Sequence, residues 1–157
     1  MLSKLLIAGL LMALCVTVHA VGLTVEFGWM KRHRPAGERV FWPWVWLLIV
    51  LACWMIVLHL VEIALWAFVY AWKQAMPDLP SAFYFSAVTY TTTGYGDLVL
   101  PTAWRLVGGI EALTGILMCG WSTGFFFAVV SRMYAASPQQ TRADMSRTSA
   151  NQSRPAQ

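Results

Sequence analysis

Residues 89 to 98, TYTTTGYGDL, set three consecutive threonines, two glycines and an aspartate between apolar runs long enough to cross a membrane. Leu5 to Val25 is nearly all apolar, and from Phe41 to Trp72 only His59 and Glu62 can ionise. Each run exceeds the roughly 20 residues a helix needs to cross a hydrocarbon core about 30 Å thick. A third run, Ala103 to Tyr134, is interrupted by Arg105, Glu111 and Arg132. Only 11% of the chain is charged, against roughly 25% in soluble domains. The chain reads as an all-α membrane protein. Its three transmembrane helices would carry a short re-entrant helix and loop between the second and third.

The expected organisation is an N-terminal transmembrane helix within 1–28, a basic connector over 29–40 and a two-helix module over 41–134. The module divides into an outer helix (42–72), a short helix (about 79–91), the glycine-bearing stretch (92–97) and an inner helix (102–134). Residues 135–157, rich in Ser, Gln, Pro and Arg, hold too little apolar content for a core and read as a disordered tail. Cys15, Cys53 and Cys119 all lie in apolar runs without paired spacing, so they read as small buried apolar residues.

Basic residues set the orientation. Lys31, Arg32, Arg34 and Arg39 precede the second helix, and Arg132, Arg142, Arg147 and Arg154 end the third: eight of the eleven Lys and Arg. The positive-inside rule makes the connector and the tail cytoplasmic, with residues 73–101 outside. The net charge of +4 is therefore a topology signal, with no nucleic-acid partner implied. Lys4, the following apolar run and "VHA" at 18–20 resemble a cleavable signal peptide. Cleavage would leave two spans and invert the charge rule, so a retained helix is the reading adopted.

In "MPDLPSAFYFSAVTYTTTGYGDLVLPTAW", Asp78 or Ser81 is placed to cap a helix beside Pro80. That helix is too short to span. The extended stretch after it cannot face lipid, where each unsatisfied backbone group costs several kcal/mol. It must be buried in protein or line a water-filled path. Gly94 and Gly96 adopt positive φ cheaply, which lets successive carbonyls turn to one side and replace a cation's hydration shell.

"TYTTTGYGD" is similar to the T-x-x-T-x-G-Y-G-D filter signature of potassium channels, and Trp44 to Met133 resembles the two-helix pore module of that family. The resemblance implies potassium ions at the carbonyls of Thr92, Thr93, Gly94 and Tyr95, followed by Gly96. The Thr92 hydroxyl would form the innermost site. Tyr95 would pack its ring outward against a pore helix, and Asp97 and Thr89 would support the filter. Thr93 departs from the commoner valine or isoleucine, and Val88 stands where some members carry a glutamate. One chain supplies one filter strand, so the family geometry implies a homotetramer. No cofactor is implied beyond the permeant ion.

Charged groups inside spans face protein or water. His59 and Glu62, three apart, share a helical face. They read either as a pH-sensitive contact with the pore helix, Glu111 or Arg105, or as a structural hydrogen bond. A metal-dependent enzyme built on "HLVE" and Glu111 is the least favoured reading. Gly115, Gly120 and Gly124 lie on the inner helix, where "GWSTG" fits close packing or a gating hinge equally. No helix carries arginines at every third position, so nothing reads the membrane potential as a voltage sensor would.

The function expected is passive potassium conduction by a multi-pass protein of the plasma membrane, or the inner membrane of a Gram-negative bacterium. Membrane lipid surrounds it, and any regulatory partner is unspecified. The alternatives are a weakly selective cation channel and a non-conducting protein that keeps the pore fold for assembly or sensing.

Overall fold

The computed structural model describes residues 2–33 and 41–152, with side chains over 2–33 and 42–132. Every regular element among them is helical: α1 (Leu2–Arg32), α2 (Phe41–Trp72), α3 (Leu79–Tyr90), a short 3₁₀ turn (Thr102–Trp104) and α4 (Arg105–Gln152). Three helices are long and apolar enough to cross a membrane, over Leu2–Arg32, Trp42–Trp72 and Thr102–Arg132. The chain is an integral membrane protein.

α1 packs on α2 and α4, and α3 is held between α2 and α4. Lys4 lies 4.9 Å from the Trp104 ring centroid, and Arg132 lies 5.9 Å from that of Phe27. α1 and α4 therefore run in the same direction, and α2 runs against them. α1 buries Ala8, Leu11, Cys15, His19, Gly22 and Glu26. Spaced three or four residues apart, these form one stripe along a straight α-helix. Its members are mostly small or polar, while Leu6, Leu10, Val21 and Val25 face outward. Lipid tails are as apolar as leucine, so close approach and hydrogen bonds decide which face turns inward. At Gly22 a β-carbon would come within 2.7 Å of the Leu58 side chain, and Trp54 Nε1 donates to the Gly22 carbonyl at 3.2 Å.

α2 ends in a reversal that aims the chain back into the bundle. Gln74 takes φ +53°, its N–H bonds the Ala71 carbonyl and the Ala75 N–H bonds that of Tyr70. This is the paired closure usual at helix ends, with glutamine in the position glycine favours. Asp78 then caps α3, its Oδ1 accepting from the Ser81 N–H at 2.7 Å, with Pro80 in the first turn. That backbone N–H holds the Asp78 carboxyl below the usual range.

Two expectations are corrected. Residues 135–152 are not a disordered tail, because α4 continues through Gln152. Extending a formed helix adds one hydrogen bond per residue fixed, Pro138 excepted for want of an N–H, and Ala135, Ala136, Gln139, Gln140, Arg142 and Ala143 are good helix formers. Of the three cysteines only Cys15 is buried; Cys53 and Cys119 lie on exposed faces of the single chain. The connector residues Arg34 and Arg39, and the last part of the tail with Arg154, fall outside the described residues.

Candidate functional site

α3 ends at Tyr90, and the chain leaves it through Thr91 to Asp97, all exposed on the single chain. The backbone there has a definite pattern. φ is +59° at Thr92, +51° at Gly94 and +77° at Gly96, while Thr93 and Tyr95 are not in the positive region. Alternation of this kind turns successive carbonyls the same way. The amides turn back to the helix end: Thr92 N–H bonds the Thr89 carbonyl at 2.9 Å and Gly94 N–H bonds that of Val88 at 3.0 Å. Positive φ at the two glycines was expected from their type. Thr92 was not foreseen, since a β-branched residue there carries strain of about 1–3 kcal/mol.

Hydroxyls tie the same stretch to α3. Thr91 Oγ1 bonds the Ala87 carbonyl at 2.7 Å, and Thr93 Oγ1 lies 3.0 Å from Thr91 Oγ1. With Thr91 donating to Ala87, Thr93 donates to Thr91, a link that a valine at 93 would lack. On the far side, Tyr84 Oη donates to Asp97 Oδ2 at 2.8 Å. That bond holds the Asp97 carboxyl below the usual range and raises the Tyr84 phenol. Tyr95 is 72% exposed, so its ring has no packed place within one chain.

Behind this loop, α3 is gripped by two buried carboxylates. Ser86 and Tyr90, four residues apart, share one face. Ser86 Oγ donates to Glu111 Oε1 of α4 and lies 3.1 Å from the Ile63 carbonyl. Tyr70 Oη of α2 donates to Glu111 Oε2 at 2.8 Å. Tyr90 Oη donates to Glu62 Oε2 of α2 and sits 3.2 Å from His59 Nδ1. The other Glu62 oxygen takes His19 Nδ1 of α1 at 2.9 Å. Glu62 and Glu111 thus serve separate networks, and Arg105 joins neither, its Nε reaching the Leu100 carbonyl at 3.4 Å. The contact expected between His59 and the pore helix is present, through Tyr90.

Comparison with known proteins completes the description. Residues 56–132 match the family model described as ion channel. The potassium voltage-gated channel protein Shal of Drosophila melanogaster is 40% identical over 68 residues, covering 43% of this chain and 11% of that protein. The A-type voltage-gated potassium channel KCND3 of Homo sapiens is 37% identical over 71 residues, covering 45% and 10%. Residues 56–132 are thus similar to an ion-channel family and to a part of voltage-gated potassium channels. The chain spans about a tenth of the length of these curated relatives. No solved structure matches it.

Within this stretch, Gly115 sits against the Tyr90 carbonyl, while Gly120 and Gly124 have open space where a β-carbon would go. Gly115 is thus a packing glycine at the root of the loop. His19, Ser122, Tyr84, Ser86 and Tyr90 were missed as site residues. His19 hid in an apolar run, where "VHA" drew a reading as a cleavage site. The spacing of Ser86 and Tyr90 on one face of α3 was the available signal for that pair.

Proposed function

We propose that the chain conducts potassium ions passively through a homotetrameric pore, with the carbonyls of Thr92, Thr93, Gly94 and Tyr95 as the ion ligands. The observation that carries this reading is the alternation of positive φ at Thr92, Gly94 and Gly96, with amides turned back to α3. A row of carbonyls on one side is the arrangement that replaces a cation's water shell. One chain supplies one such row, and four around an axis enclose an ion. The exposure of the whole stretch and of the Tyr95 ring agrees with a surface that neighbouring copies cover.

Thr92 would add its hydroxyl at the innermost site, and Asp97, tied to Tyr84, would brace the outer mouth. The loop end faces outside and the Lys31, Arg32 and Arg132 end faces the cytoplasm, on the charge rule. Lipid surrounds the assembly in the plasma membrane. Purified protein in liposomes tests the proposal. Potassium efflux with sodium excluded is the expected result. Equal sodium and potassium flux would replace it with a weakly selective pore, and no flux with a non-conducting role.

A further inference from the structure

The geometry points to a transition-metal site formed by His19, His59 and Glu62, of the class that takes Zn²⁺ or Co²⁺, inside the membrane-spanning bundle. It goes beyond the conduction pathway and does not depend on it. One ligand atom from each of the three residues lies within 4.8 Å of the others. His19 Nδ1 is 2.9 Å from Glu62 Oε1, and His59 Nδ1 is 3.5 Å from Glu62 Oε2. A tetrahedral site with metal–ligand bonds of about 2.0–2.1 Å has edges of ~3.3 Å. The two separations lie either side of that length, each to a different Glu62 oxygen, so an ion would sit across the carboxylate between the two rings. Two imidazoles and a carboxylate are also the donor set such ions select.

Orientation supports the same assignment. Both Nδ1 atoms face Glu62, and both Nε2 atoms face one hydroxyl: Ser122 Oγ of α4 lies 3.1 Å from each. A metal-bound imidazole passes its other ring N–H to an outer acceptor that fixes the ring's angle. A serine oxygen has two lone pairs and can take both. Trp121 stacks on His19 with centroids 5.9 Å apart, holding that ring further.

Among the described residues Glu62 forms ion pairs only with these two histidines. An ion between the Nδ1 atoms and Glu62 would leave both Nε2–H groups to Ser122. Because His19 belongs to α1 and the other two ligands to α2, the ion would pin α1 to α2 beside Tyr90, which donates to Glu62.

Full-length protein, purified in detergent without chelator and without a polyhistidine tag, is titrated with Co²⁺. The expected result is one ion per chain with the intense visible absorption of tetrahedral Co²⁺, displaced by Zn²⁺. His33→Ala, at the exposed end of α1, leaves this unchanged. Ser122→Ala weakens binding about 10–100-fold, and His19→Ala or Glu62→Gln abolishes it. Since either of those may fail to fold, X-ray absorption of the Zn²⁺-loaded wild type is the second measurement. It should show a nitrogen and oxygen shell with two imidazoles. No tetrahedral band, a band unchanged in both variants, or a thiolate–metal signature from Cys15 or Cys119 would each overturn the assignment.

Discussion

Gly115 of α4 lies against the backbone of Tyr90: a β-carbon at 115 would stand 1.9 Å from the Tyr90 carbonyl oxygen. The obstacle is backbone at the end of the pore helix, which cannot rotate away as a side chain would. Gly115→Ala should therefore push α4 off α3. The expected penalty is at the upper end of the roughly 1–3 kcal/mol typical of overpacking. Gly9→Ala, inside α1 with nothing within 4 Å, should not lower stability. Unfolding midpoints in detergent compare the two.

Ser86 and Tyr70 both donate to Glu111, which is fully buried. Ser86→Ala leaves one carboxylate oxygen without its donor, at about 1–3 kcal/mol. The same Ser86→Ala change should cost less in a Glu111→Leu background, where the acceptor is already gone. A double-mutant cycle on Ser86→Ala and Glu111→Leu measures the coupling, and simple additivity would show that the two do not interact.

The Tyr84–Asp97 bond carries a pH signature. The phenol holds the Asp97 carboxyl below the usual range, so the bond contributes in full above the ordinary aspartate pKa. Its contribution is lost as pH falls through the lowered value. Tyr84→Phe removes the donor and should move Asp97 protonation to higher pH. Carbon NMR of the labelled carboxyl reads the midpoint directly. An unmoved midpoint would mean that Tyr84 does not engage Asp97 in the assembled protein.

Thr93→Val keeps the branched β-carbon and removes the hydroxyl bonded to Thr91. Thr91 still has the Ala87 carbonyl, so the loss should be about 0.5–1.5 kcal/mol, that of one hydrogen bond. Potassium over sodium preference should persist, since the backbone carbonyl is unchanged. Bi-ionic flux in liposomes checks the second outcome.

Tyr95→Asp should degrade that preference, because a charged side chain cannot fill the apolar packing place proposed for the ring. Val129→Ala, in the small core with Leu47 and Leu51, should lower stability and spare selectivity. Equal selectivity in wild type and Tyr95→Asp would count against the carbonyl assignment.

The pore loop was legible because its chemistry is written in residue type. Glycines at 94 and 96 announce positive φ, and Asp78 with Pro80 announces a helix start. Thr92 was not legible: its backbone is set by the turn that brings Gly94 N–H to the Val88 carbonyl, a constraint no propensity carries. Of the partners open to His59 and Glu62, the structure shows the contact with α3, through Tyr90, and not one with Glu111 or Arg105. Both acids were visible as intramembrane charges. Which donors meet them depends on how α1, α2 and α4 are rotated about their axes, and strongly apolar helices give little pattern to read. Cys53 and Cys119 misled through the same gap, since in a membrane an apolar residue fits the lipid face as well as the interior.

The inward seam of α1 has a consequence for how that helix can move. Turned half a revolution about its own axis, it would present His19 and Glu26 to acyl chains and press leucines against Leu58. A charged group at mid-bilayer costs about 2.5–3.5 kcal/mol even on lenient scales. Swivelling is therefore denied to it. Any signal reaching the bundle through α1 must arrive with that face still turned inward.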